Sequence, residues 1–235
     1  RTLAEMRKWS KDENHHVRRL SSEGSRPRLP WSFKLTEIIA DPSLTRPILE
    51  NLCVDDSQYV RKSVANHLND ISKDHPEWML DLVSSWDRSD ERTEWIVKRA
   101  ARTLVKAGHP RSFPLLGFET RPQVELGPLV LSRKRLRLGS SQRLSVTIKS
   151  TKTNPQKLAI DYVVHYVKKS GATGPKVFKL RELSLAPGEE IELTKVQLFK
   201  DFSTRKHHPG EHLIQIMVNG KSRAEAAFEL AVGSR

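Results

Sequence analysis

The sequence predicts an α+β protein of two domains, a helical-repeat array followed by an antiparallel β-sandwich. Three observations predict it: apolar residues recur with a helical period in the first half, they alternate with period two in the second half, and the helical segments repeat along the chain. At 235 residues, 37% hydrophobic and 29% charged, the chain has enough Leu, Val and Ile for two cores.

In the first half, Val60, Val64, Leu68 and Ile71 fall at i, i+4, i+8 and i+11, one face of a 3.6-residue helix. Gln58-Tyr59-Val60-Arg61-Lys62 through Leu68 aligns with Glu94-Trp95-Ile96-Val97-Lys98 through Leu104, and His15-His16-Val17-Arg18-Arg19 supplies an earlier copy. Ile71-Ser72-Lys73-Asp74-His75-Pro76 is matched by the shorter Ala107-Gly108-His109-Pro110. Repeats of this length, each a helical pair, point to a HEAT-like α-solenoid over residues 1–114. The opening Arg1-Thr2-Leu3 reads as the interior of a longer chain, so further repeats are expected ahead of it.

In the second half, residues 118–235, Arg143 to Lys149 alternates apolar and polar residues, and Tyr162 to Val167, Ile191 to Val196 and His212 to Val218 are further strands. Asn154-Pro155, Gly171 to Pro175, Pro187-Gly188 and Asn219-Gly220 mark turns between about seven strands. The switch between the halves is placed from Phe113-Pro114 to Gly117.

Charge separates the halves further. The whole chain carries +13, of which residues 1–117 hold only +3 and residues 118–235 hold +10. A balance this basic points to a polyanionic partner, nucleic acid before an anionic membrane. No apolar run reaches the roughly 20 residues of a membrane-spanning helix. The single cysteine, Cys53, excludes an intramolecular disulfide, and a reducing cytoplasmic setting is expected. His207, His208 and His212 are close in sequence but lack a Cys or another clustered ligand, so no metal and no organic cofactor is expected.

A helical wheel places Lys62, Asn66, Asp70 and Lys73 opposite the apolar face of the second repeat, and Lys98, Arg102 and Lys106 opposite Ile96, Ala100, Leu104 and Ala107 of the third. Arg19 and Glu23 fall at the equivalents of Lys62 and Asn66. Stacked repeats would set these positions side by side as a basic ladder suited to a phosphate backbone. Glu23 and Asp70 interrupt it. A carboxylate repels phosphate, so each either pairs with a cation (Lys62, Lys73 or Lys106 for Asp70) or serves a cationic transition state. The segment Glu23-Gly24-Ser25-Arg26-Pro27-Arg28-Leu29-Pro30-Trp31 sets two Arg and a Trp in a proline-stiffened loop, with Trp31 either packed in the core or free to stack on a base.

These residues carry a resemblance. Trp9-Ser10, His16-Val17-Arg18-Arg19-Leu20, the loop from Glu23 to Trp31 and the run from Tyr59 to Lys73 resemble the signature of AlkC-type DNA alkylation-repair glycosylases, relatives of the AlkD proteins. The likeness continues through Asp161 to Tyr166 and Lys176 to Leu180. It implies that the sandwich is immunoglobulin-like, although the Trp and paired Cys of antibody domains are absent. It also implies excision of cationic alkylated bases, 3-methylcytosine and 3-methyladenine, from duplex DNA without base flipping, by a monomer that needs no cofactor. Glu23, Asp70 and Trp31 are then the expected catalytic residues, with Trp31 contacting the damaged nucleotide. Arg18, Arg19, Arg26, Arg28, Lys62, Lys98, Arg102 and Lys106 are the expected DNA ligands of the helical half. Lys168 and Lys169 are those of the sandwich, where Lys176, Arg205 and Lys206 extend the same basic segments. A non-catalytic nucleic-acid-binding scaffold and a protein-interaction scaffold are the competing readings.

Overall fold

The computed structural model describes residues 1–203 and 206–232, and the chain divides into two units, Arg1–Leu116 and Gly117–Arg235. The first is helical: α1 (Thr2–Trp9), α2 (His15–Glu23), α3 (Thr36–Ala40), a 3-10 turn (Pro42–Thr45), α4 (Arg46–Asn51), α5 (Gln58–Ile71), α6 (Pro76–Ser84), α7 (Glu91–Ala100), α8 (Arg102–Lys106) and α9 (Ser112–Leu115). α5 packs against α2 on one side and α7 on the other, so the three repeat helices form one row. α1 and α4 pack against α2, and α6 against α5.

The reasons are local. Val60, Val64, Leu68 and Ile71 are all buried and make α5 the centre of the row. Asn14 caps α2 by accepting from His16 N, and Asp90 caps α7 by accepting from Arg92 N. Pro76 opens α6 at the first turn, where its missing N–H costs nothing. Asp55 ties neighbouring repeats together: it accepts from Ser57 N just before α5 and takes both forks of Arg18 from α2.

The third repeat departs from its sequence pattern. Its helix is divided at Ala101, Ile96, Ala100 and Leu104 are buried, and Ala107 is exposed because α8 ends at Lys106 before the periodicity completes. The interval expected to be linker from Phe113 begins instead as α9.

The second unit is a sandwich of two sheets with nine strands among the described residues. In one sheet β4 (Ser141–Ser150) pairs with β1 (Val124–Leu126) and β2 (Val130–Leu131) along one edge and with β7 (Glu190–Leu198) along the other. The other sheet has the order β3 (Arg135–Arg137), β9 (Lys221–Ala231), β8 (Gly210–Val218), β5 (Gln156–Val167), β6 (Thr173–Leu185). β3 pairs with β9 in parallel, a departure from the antiparallel pattern expected throughout. The inward residues Leu144, Val146 and Ile148 of β4 meet Leu158, Ile160, Tyr162 and Val164 of β5 and Ile214, Ile216 and Val218 of β8 in one core.

The β8–β9 hairpin turns on Asn219-Gly220, with φ of 45° and 77°. Two positive φ values fit the twist of a two-residue hairpin, and Asn and Gly tolerate them best. The turn expected from Gly171 to Pro175 is shorter than its composition suggests. β6 already begins at Thr173, so Pro175 and Lys176 lie on an edge strand, where proline costs least.

Candidate active site

The polar face of α5 meets the C-terminal end of α2. Glu23, the last residue of α2, is half-buried, and Asp70, in the last turn of α5, is buried. One guanidinium joins them: Arg26 Nη1 donates to Glu23 Oε1 at 2.8 Å, and Arg26 Nε donates to Asp70 Oδ2 at 2.9 Å. The second oxygen of Glu23 accepts from Ser63 Oγ at 2.6 Å and lies 3.6 Å from Arg19 Nη2. The second oxygen of Asp70 accepts from Lys73 Nζ at 2.9 Å. Burial opposes charge on Glu23, but the Ser63 hydroxyl and the Arg26 guanidinium outweigh it and hold the carboxyl below its ordinary value.

The loop after α2 projects Trp31. Its root is fixed: Ser25 and Pro27 are buried, Ser25 Oγ donates to Ser21 O at 2.7 Å, and Leu35 N donates to Pro27 O at 3.1 Å. Its tip is not. Trp31 is fully exposed, at 105% of its reference area, and its φ of 66° lies in the left-handed region that a bulky residue rarely adopts.

Three guanidiniums expected on a phosphate-facing surface are turned toward carboxylates. Arg26 is buried between Glu23 and Asp70. Arg18 grips Asp55 and donates to the carbonyls of Asp12 and Glu13. Arg28 forms a two-pronged pair with Asp74, at 2.8 and 2.6 Å. A guanidinium fork matches a carboxylate edge, and the pairs with Asp55, Asp70 and Asp74 tie together segments far apart in sequence. Lys62, Lys98 and Lys106 are exposed along the row. Arg19 lies over the Tyr59 ring at 4.3 Å, and Arg102 donates to Asn66 Oδ1 at 3.0 Å.

Two residues of this cluster do not stand out in the sequence. Ser63 lies seven positions before Asp70, so it shares the same helix face. His67, three before Asp70, is wholly enclosed, and its Nδ1 faces Ser22 O at 3.1 Å, so the ring donates there. Burial pushes the His67 imidazole down to about 4. The ring is therefore neutral in the folded protein, while the unfolded chain takes up a proton below about 6.5. Stability is expected to fall by about 3 kcal/mol as pH drops from 6.5 to 4. In His67→Asn, whose amide can still donate to Ser22 O, denaturant titrations should show a flatter response across that window.

In the sandwich, Lys168, Lys169, Lys176, Lys206 and His208 line an open cavity of about 430 Å³ with Tyr166 and Val167. Lys168 and Lys169 sit in the β5–β6 turn, whereas Lys176 belongs to β6 rather than to a connecting loop. Arg205 lies outside the described residues.

A HEAT-like row carrying two bridged carboxylates, followed by a basic sandwich, defines a two-domain class of repeat proteins with an appended immunoglobulin-like domain. Residues 1–104 match the family model for the DNA alkylation repair enzyme, and residues 125–232 match that for the C-terminal Ig-like domain of the uncharacterised protein YhaZ. The helical half is thus similar to the DNA alkylation repair enzymes, and the sandwich to the Ig-like domain of YhaZ. It is 42% identical over 228 residues to the uncharacterized protein YhaZ of Bacillus subtilis strain 168, covering 97% of this chain and 63% of that one. It is 49% identical, with a TM-score of 0.95, to the structure of Pseudomonas fluorescens alkylpurine DNA glycosylase AlkC bound to DNA containing an abasic site analog, covering 98% of this chain and 64% of that one. The chain thus spans a little under two thirds of the length of each. No described helix is long and apolar enough to cross a membrane.

Proposed function

We propose that the protein is a DNA glycosylase that releases cationic N-alkylated bases, 3-methylcytosine and 3-methyladenine, from duplex DNA without flipping the base. The observation that carries this reading is the carboxylate pair Glu23 and Asp70, held around one guanidinium at the foot of the loop that bears the exposed Trp31. An alkylated base is already a cation. When the C1′–N bond breaks, the base takes the electron pair and leaves neutral, so no general acid is required. The positive charge moves to the sugar as an oxocarbenium ion, and water then attacks C1′ and loses a proton. A carboxylate stabilises the sugar cation and orients that water. Trp31 would stack against the damaged nucleotide, which an aromatic face can do without reading its edge.

The charges around the pair suit a device switched on by DNA. Arg19, Arg26 and Lys73 surround two carboxylates, which leaves a cluster poorly disposed toward a cation. The side chains of Arg19 and Lys73 are 30% and 42% exposed, against 9% for Arg26. Phosphates that recruit the two accessible cations would leave Glu23, Asp70 and Arg26 with a net charge of −1, facing the sugar. Lys62, Lys98, Arg102 and Lys106 continue the positive track along the row.

A duplex bearing a single 3-methylcytosine tests the reading through formation of alkali-labile abasic sites. Release above the enzyme-free rate supports it. Salt-dependent binding with no release would make the protein a nucleic-acid-binding scaffold instead.

The net +10 of residues 118–235 assigns part of DNA binding to the sandwich in this reading. Replacing Lys168, Lys169 and Lys176 with Gln is expected to weaken duplex binding and to reduce the slope of log affinity against log salt by about 0.9 for each phosphate no longer neutralised. An unchanged slope in fluorescence-anisotropy titrations would remove these lysines from the DNA interface.

A further inference from the structure

We propose that Arg26 is the positioning residue of this site: by bridging Glu23 and Asp70 it fixes the spacing of the two carboxylates and supplies the positive charge between them. The inference rests on the glycosylase reading above and assigns that reaction a residue that touches neither base nor sugar.

The geometry sets Arg26 apart from its neighbours. Three of its nitrogens are committed: Nη1 to Glu23 at 2.8 Å, and Nε and Nη2 to the same Asp70 oxygen at 2.9 and 2.8 Å. Its side chain is 9% exposed, so neither solvent nor a phosphate competes effectively for it. The two carboxylates come from different repeats, Glu23 from α2 and Asp70 from α5, and the loop that carries Arg26 closes the gap between them. Without a cation between them, the two carboxylates would repel across the gap, with only Arg19 and Lys73 left on their outer oxygens. A lysine in its place could supply the charge but only a single ammonium, which cannot hold two carboxylates in a fixed plane.

Every charged neighbour enters the expectation. Arg19 of α2 faces Glu23, and Lys73 of α5 faces Asp70. His67 of α5 is enclosed beside them and neutral above about pH 4. Arg28 of the loop is committed to Asp74, and Arg102 of α8 lies within electrostatic reach of both Arg26 and Asp70. Among the described residues Arg26 alone bonds to both carboxylates, so its loss falls on the pair rather than on one member.

The test compares wild type, Arg26→Gln and Arg26→Lys in the full chain, with circular dichroism melts to confirm the fold. Single-turnover release of 3-methylcytosine is measured against pH. Affinity is measured for two duplexes that need no turnover, one with a cationic pyrrolidine and one with a neutral tetrahydrofuran at the abasic position. In Arg26→Gln we expect release to slow by about 10²-fold through misplacement alone. The acid limb of its pH profile should rise by about one to three pH units, as expected when an adjacent opposite charge is removed from a carboxylate. The preference for pyrrolidine over tetrahydrofuran should shrink in parallel. Arg26→Lys should keep the acid limb near its wild-type position yet remain slow, which separates charge from geometry and guards against a glutamine variant that fails to fold. Wild-type pH profiles and pyrrolidine preference in a folded Arg26→Lys and Arg26→Gln would overturn the proposal while leaving the glycosylase reading intact. Wild-type protein that prefers pyrrolidine through Arg26 but releases no base would overturn the glycosylase reading and leave Arg26 as the organiser of a cation-binding pair.

Discussion

Asp70→Asn is expected to slow single-turnover base release by roughly 10²–10³-fold, the usual effect of deleting one electrostatic stabiliser of a charged transition state. Affinity for a tetrahydrofuran duplex should change far less, because Asp70 is buried and contributes nothing attractive to phosphate. The substitution also has a structural cost. Asp70 accepts from Arg26 and Lys73, and losing one partner of a buried ion pair typically costs about 3–5 kcal/mol. Assays belong at a temperature where urea titrations show the variant folded. Equal losses in affinity and release, with the protein folded, would mark Asp70 as structural. Glu23→Gln is the milder companion, since Glu23 is less buried and its amide could still accept from Ser63.

Trp31→Gly should do the opposite to stability and the same to activity. Trp31 contributes no buried area to the core, and its left-handed backbone costs a bulky residue about 1–3 kcal/mol that glycine does not incur. The glycine variant is therefore expected to be about 1 kcal/mol more stable to urea, allowing for the greater freedom glycine gives the unfolded chain. Release of 3-methylcytosine should fall by about tenfold or more if stacking on the nucleotide supplies its usual 1–3 kcal/mol. Trp31→Phe should retain part of the activity. A glycine variant that is less stable would show that the left-handed backbone is not the strain it is taken to be, and one that works at the wild-type rate would remove the ring from the nucleotide contact.

Much of the fold is legible in the sequence because it depends on short-range periodicity. The spacing of Val60, Val64, Leu68 and Ile71 predicts the buried face of α5, and Asn219-Gly220 predicts its hairpin. What periodicity cannot carry is pairing between distant segments. The parallel β3–β9 ladder joins residues more than 90 positions apart, and nothing in either three-residue stretch signals it. The same limit governs the candidate site. Glu23 and Asp70 stand out because each breaks a basic ladder, a one-dimensional anomaly. Arg26 reads as one more cation beside Arg28, since its partner Asp70 lies 44 positions away. Ser63 and His67 share a helix face with Asp70 yet stay inconspicuous, because small polar and histidine residues on a mixed face carry no charge pattern to interrupt.

The placement of the two carboxylates on adjacent repeats has a mechanical side. In a repeat array each unit touches only its neighbours, and the rotation from one to the next sets the curvature of the whole. A probe placed across one such interface therefore reads out that rotation. Glu23 and Asp70 straddle the α2–α5 interface, so bending the array alters the gap between them before any helix unfolds. Hydrogen exchange at the amides of α2 would then follow the integrity of the site more closely than a global melting curve does. Changes of volume at the buried Val60 or Val64 of α5 would tune the chemistry by changing that angle while every polar partner stays in place.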